Sequence, residues 1–132
     1  HHYRHVPELA HNVAVSAVFK GEPKSDQDIA ERMETSKEKR RSSQPVAASA
    51  GCIFKNPEGI GAGQLVDELG LKESGVGSAK VSSVHGNFIV NEGGASANDV
   101  INLIEEIKAE ARKSRNIELE TEVQIIGQDE SI

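Results

Sequence analysis

Residues 96–114, "SANDVINLIEEIKAEARKS", constrain the fold more than any other stretch of this chain. Ser96 and Asp99, three positions apart, make a capping-box pattern. Such a pair supplies partners to amides that have none at the start of a helix. Behind it Val100, Leu103, Ile104 and Ile107 recur at helical spacing, so the spacing predicts a helix to about Ser114 with one apolar stripe. That stripe has to be buried against other elements.

The candidates for covering it are strands. "AKVSSVHGNFIVNEGG" predicts two short ones, 79–83 and 87–91, closed by a glycine turn. "HNVAVSAVF" (11–19) alternates, with Val13, Val15, Ala17 and Phe19 on one face, as in a half-buried strand. "IELETEVQII" (117–126) alternates too, placing Ile117, Leu119, Thr121, Val123 and Ile125 opposite Glu118, Glu120 and Glu122. A second capping box, Ser25 with Asp28, opens a polar helix that runs to about Arg41 and lies exposed. A short helix is predicted from Ala62 to Leu69, with Leu65, Val66 and Leu69 on one face and Gly70 at a left-handed C-cap. Residues 42–59, with two prolines and no helical period, read as loop. Helices and strands do not alternate strictly, so the fold class is α+β with a mostly antiparallel sheet rather than a doubly wound parallel one.

At 132 residues one domain is expected, and with 3% aromatics and no Trp its core must be aliphatic. The net charge of −6 argues against non-specific nucleic-acid binding, which needs a surplus of Lys and Arg. A single cysteine excludes an internal disulfide and a multi-thiolate zinc site. No apolar run approaches the ~20 residues that cross a bilayer, and no signal-peptide pattern is present, so no membrane partner is expected and a cytoplasmic location is the default. The two leading histidines carry no functional weight. The abrupt opening on a strand-like stretch is what a fragment of a larger protein would show.

Several features could carry chemistry. The three carboxylates at 118, 120 and 122 repel one another unless water or a cation faces them, and a solvated strand face is the plain reading. "GIGAG" (59–63) precedes a helix but matches neither phosphate-binding fingerprint, so a tight turn is favoured over an anion cradle. "KEKRR" (37–41) suits the negative end of a helix, with anion recognition by Arg40 or Arg41 as the sharper alternative. His85 lies at a turn, with no second His or Cys nearby in sequence to make a metal site. Cys52, inside "GCIFKNPEGIGAG", is by itself either a small buried hydrophobe or a reactive thiol. Nothing in the sequence names a partner base for a nucleophile.

Three strings narrow this: "YR" (3–4), "SAGCIFKNP" (49–57) and "LETEVQIIG" (119–127). In order and separation they resemble the C-terminal part of the UDP-N-acetylenolpyruvoylglucosamine reductase family. "RRSSQP" fits upstream of the cysteine loop, and residues 65–108 fit between the second and third strings. The resemblance implies an oxidoreductase of peptidoglycan precursor synthesis. NADPH reduces FAD, and UDP-N-acetylglucosamine enolpyruvate is reduced to UDP-N-acetylmuramate.

In that family the proton donor to C2 is usually a serine, in whose place Cys52 stands. A thiol, with an ordinary pKa near about 8.5, is a far stronger acid than a hydroxyl. The resemblance makes Glu122 the catalytic glutamate and Arg4 the catalytic arginine. It makes Lys55 and Asn56 substrate contacts, with His85 and Arg40 in the same cleft, and places Tyr3 near the flavin. It implies that 1–22 is the tail of an FAD-binding domain otherwise absent from this chain. Residues 23–117 would be the substrate domain, and 118–132 a final strand with its tail. By itself the chain would then be inactive, its partners being substrate and its own FAD-binding domain. The alternative is a stand-alone nucleotide-sugar-binding module without catalysis.

Overall fold

The computed structural model describes residues 6–7 and 12–127, and the chain divides into two compact units, His1–Met33 and Glu34–Ile132. The first helix, α1 (Asp26–Ser43), begins at its capping residue, with the Asp28 amide donating to Ser25 Oγ at 3.1 Å. It buries no residue. Pairs along its own surface, Gln27 with Glu31 and Lys37 with Glu34, are what a helix without an apolar stripe relies on.

The rest is a four-stranded antiparallel sheet with two helices. The strands are β1 (Ser49–Cys52), β2 (Gly75–Val76), β3 (Ala79–Val81) and β4 (Phe88–Asn91), in the order β1-β4-β3-β2. Helix α2 (Ala62–Glu68) follows β1, and α3 (Ala97–Arg115) follows β4. The capping box of α3 forms in both directions: the Asp99 amide donates to Ser96 Oγ, and the Ser96 amide donates to Asp99 Oδ2. The helix closes on Asn116, whose φ of 54° is the left-handed conformation that ends helices.

Side-chain alternation sets the two faces of the sheet. Ala79, Val81 and Ile89 join Leu65 and Val66 of α2 and Leu103, Ile104, Ile107 and Ala111 of α3 in one aliphatic core. Lys80, Phe88 and Val90, at the alternate positions, therefore occupy the opposite face. Each fully buried Leu or Ile contributes about 1.5–3 kcal/mol, so the α3 stripe is a principal source of stability.

Three expectations require correction. Residues 12–20 form no strand, and Val13, Val15 and Phe19 are exposed, Phe19 at 89%. Alternation makes a strand only where a neighbour supplies the ladder, and none of the described residues does so. Residues 117–126 form a single bridge, Thr121 to Phe54, rather than a strand. Leu119 is buried but Ile125 is 66% exposed. The partner segment reaches Pro57 three residues beyond Phe54, and proline has no amide with which to continue a ladder.

Conversely, part of the supposed loop 42–59 is β1. Its sequence "SAGC" is too small and too short to show a period. Ser49 pairs with Val90 and Cys52 with Phe88, so β1 carries one extra residue, a bulge, with Gly51 at φ 85°. Strand β2 has only two residues, also below any periodic signal. Gly75 is needed there because a Cβ would lie 2.7 Å from the Ala79 carbonyl oxygen. No helix of the described residues is long and apolar enough to cross a membrane.

Candidate functional site

The segment 52–56 organises the site. At its start, the pairing of Cys52 with Phe88 sets the half-buried thiol on the sheet face away from α3, because directly paired residues share a face. Ile53, one residue on, belongs to the core on the other side, as alternation requires. The bulge at Gly51 re-aims the strand immediately before the cysteine, a common device beside functional residues.

Beyond β1 the chain is held from two directions. On one side lies Asn87, whose backbone oxygen accepts from the Ile53 amide at 2.9 Å. The Asn87 side chain accepts from the Phe54 amide through Oδ1 and donates to the Phe54 carbonyl through Nδ2, both at 2.8 Å. On the other side lies segment 120–123. The Lys55 amide donates to the Glu120 carbonyl at 2.9 Å, and the Glu122 amide donates to the Ile53 carbonyl at 2.7 Å. Glu122, partly buried, is thereby fixed across the backbone from the residue that follows Cys52.

The acidic row is resolved by cations. Arg112 holds Glu118 through Nε–Oε1 and through an Nη2–Oε2 hydrogen bond of 2.6 Å. Lys55 Nζ lies 3.0 Å from Glu120 Oε2. The hydrogen bond from Arg112, with its charge, holds the Glu118 carboxyl below the usual carboxylate range, and Glu118 raises the guanidinium. Glu118 and Glu120 thus each have a cation as partner, and the backbone of Glu122 lies across from the residue after Cys52.

His85 occupies the turn between β3 and β4. Its Nδ1 accepts from the Asn87 amide at 3.1 Å, so a neutral ring carries its proton on Nε2. Its ring meets Phe88 edge-on, with centroids 5.0 Å apart. His85 and Cys52 are thus both neighbours of Phe88. Turn and helix α2 interlock through two glycines. A Cβ on Gly63 would lie 2.6 Å from His85 Cε1, and one on Gly86 would lie 2.5 Å from the Gly63 carbonyl oxygen. The glycine run before α2 therefore serves close packing at Gly63 and a turn at Gly59, whose φ is 81°.

Asn56 Oδ1 accepts from the Ala62 amide at 2.9 Å, tying the loop to the start of α2. Asn56 and His85 line one cleft of about 450 Å³ together with Gly61, Gly63, Gln64 and Lys72. Lys55 is exposed beside it in sequence, with its ammonium on Glu120. Arg40 stands in the last turn of α1, where its Nε donates to Gln44, and it does not line that cleft. Tyr3 and Arg4 lie outside the described residues.

Two residues escaped the sequence reading. Among the described residues Asn87 and Ser82 are the buried polar side chains, at 3% and 4% exposure, and Ser82 Oγ accepts from the amides of Val84 and His85. Their signal was present: a polar residue opening the apolar run "FIV" has to find buried partners. Among the described residues no group of His, Cys, Asp or Glu could hold a metal ion. The glycine-rich start of α2 is no phosphate cradle: the helix has seven residues, its first amide is taken by Asn56, and Gly63 and Gly86 pack on the chain itself.

Fold and site together define a small α+β domain in which the Glu122 backbone is bonded to the residue after Cys52, and Asn56 and His85 line a polar cleft. Residues 44–126 match the model of the UDP-N-acetylenolpyruvoylglucosamine reductase C-terminal domain. The reductase of Bacillus subtilis (strain 168) is 46% identical over 116 residues, covering 87% of this chain and 38% of the relative. That of Syntrophus aciditrophicus is 53% identical over 91 residues, covering 68% and 29%. The crystal structure of the Thermus caldophilus enzyme superposes with a TM-score of 0.62 at 44% identity, covering 76% of this chain and 36% of that one. The chain belongs to the UDP-N-acetylenolpyruvoylglucosamine reductase family and corresponds to its C-terminal domain. It spans little more than a third of the length of the Bacillus subtilis relative.

Proposed function

We propose that this chain is the substrate-binding and proton-donating part of an enzyme that reduces UDP-N-acetylglucosamine enolpyruvate to UDP-N-acetylmuramate. The observation that supports the reading is the hydrogen bond from the Glu122 amide to the Ile53 carbonyl, which holds the Glu122 backbone against the residue that follows the chain's single cysteine. The family supplies the reaction class. When bound, FAD would supply the hydride that the terminal vinyl carbon of the substrate needs, with NADPH as its reductant. Both are assigned to protein beyond the described residues, with Tyr3 as a flavin neighbour.

What this chain's own residues do follows from their chemistry. Hydride addition to C3 leaves an electron pair at C2, next to the substrate carboxylate. The Cys52 S–H bond breaks as its proton forms the C2–H bond, and the resulting thiolate recovers a proton from water. Overall the carbon–carbon double bond gains one hydride and one proton. Glu122 steers that protonation, and Arg4 balances the substrate carboxylate. Asn56, Lys55 and His85 contact substrate around the cleft at the start of α2, and Arg40 is a further basic candidate. The domain assignments stand on the same basis: 1–22 with the flavin domain, 23–117 binding substrate, and 118–132 bringing Glu122 back to the site. As an enzyme of a cytoplasmic biosynthetic step, the protein would act without membrane or nucleic-acid partners.

In the full-length protein, Cys52→Ser should retain substantial product formation. Cys52→Ala should lose about 10²–10⁴-fold in kcat, the usual contribution of a general acid. Full wild-type turnover by Cys52→Ala would remove the proton-donor assignment. If the wild-type full-length protein binds the enolpyruvyl nucleotide sugar without reducing it, the chain is a binding module instead.

A further inference from the structure

We propose that Asn87 is the positioning residue for proton delivery, a proposal that rests on Cys52 being the donor. The Asn87 carboxamide does what a neighbouring strand would otherwise do. Its Oδ1 takes the Phe54 amide proton and its Nδ2 donates to the Phe54 carbonyl, while its main-chain oxygen accepts from Ile53. These three bonds begin immediately after Cys52, where the β1–β4 ladder has ended. Without them the backbone between Cys52 and the Phe54–Thr121 bridge would depend on the 120–123 segment alone.

The same residue governs the opposite wall. Its amide donates to His85 Nδ1, and Phe88, its neighbour, pairs with Cys52 and carries the His85 ring. One buried residue, through its side chain on Phe54 and its main chain on Ile53 and His85, therefore ties the thiol-bearing segment to the histidine turn. At 3% exposure Asn87 does not itself reach substrate, so it acts through Cys52 and the loop that follows. A side chain that satisfies both the donor and the acceptor of one buried residue tolerates little change, because truncation leaves Phe54 with two unpaired polar groups.

The test compares Asn87→Ala, Asn87→Asp and Cys52→Ala in the full-length protein. Asn87→Asp keeps the shape and the acceptor for the Phe54 amide but loses the donor to its carbonyl, so it covers the case in which the alanine variant fails to fold. Both Asn87 variants should lower kcat by about tenfold or more while KM for the enolpyruvyl substrate changes less than about twofold. The solvent deuterium isotope effect on kcat should rise, because protonation becomes the slow step. Amide exchange at Phe54 should accelerate while Leu103 and Ile104 of α3 stay protected. An unchanged isotope effect with unchanged Phe54 exchange would overturn the positioning role. Wild-type turnover by Cys52→Ala, with Phe54 exchange still accelerated in the Asn87 variants, would instead locate the failure in the proton-donor reading and remove the catalytic half of this proposal with it.

Discussion

Helices α1 and α3 are nearly equal in length, 18 and 19 residues, and both open on a serine cap, yet they hold opposite places in the energetics. Helix α1 buries nothing, whereas α3 buries Leu103, Ile104, Ile107 and Ala111. Capping and surface pairs can delimit a helix, each contributing tenths of a kcal/mol to about one. Only the apolar stripe joins a helix to the cooperative unit. The difference predicts how each responds to damage.

The largest effect should come from the α3 stripe. Leu103→Ala should destabilise the domain by about 2–5 kcal/mol in urea unfolding, the range for a fully buried leucine that leaves a cavity. Met33→Ala in α1, where Met33 is 55% exposed, should stay within about 0.5 kcal/mol. Equal losses in the two helices would break the comparison, since α1 would then have to be packed against something. The caps come next. Ser96→Ala removes half of a reciprocal box and should cost about 1 kcal/mol of global stability. Ser25→Ala should reduce helicity by circular dichroism while leaving the main unfolding midpoint in place.

This contrast also explains what the sequence makes legible. Helix α3 could be read almost to the residue, because its box and its stripe agree, and it ends at Arg115, one residue past the expected Ser114. Helix α2 and strands β3 and β4 were legible for similar reasons, their apolar residues being the ones the core uses. Strands β1 and β2 were not, because four and two small residues carry no period, and a glycine bulge hides the register. Residues 12–20 and 117–126 show the converse error: alternation was present, but a ladder needs a partner that periodicity cannot reveal. At the site, the resemblance singled out Cys52, Glu122, Arg4, Lys55, Asn56, His85, Arg40 and Tyr3; of these the fold bonds the Glu122 backbone to the residue after Cys52 and sets Asn56 and His85 in one cleft. Asn87 is not legible because its side-chain hydrogen bonds go to Phe54, more than thirty positions away.

The smallest effect concerns the joint between α3 and the Glu122 segment. Arg112, in the last turn of α3, grips Glu118 just past the Asn116 cap and so helps to direct residues 119–122 toward Ile53. Both side chains are largely exposed, so solvent and salt screen the pair, and its contribution should be below that of the Ser96 cap. Its sign is set by the lowered Glu118 carboxyl. A carboxylate held below its unfolded value adds stability above that value, about 4.3 for glutamate, and loses it as pH falls through the folded one. The raised Arg112 guanidinium loses its contribution only at far alkaline pH, so the acid limb is the one to measure. Glu118→Gln should therefore melt slightly below wild type near about pH 6, with the gap shrinking as pH falls through the acid range and narrowing in high salt. A gap that persists undiminished at low pH would mean that Glu118 acts through packing rather than charge. The tie between α3 and the Glu122 segment would then rest on Leu119 in the core.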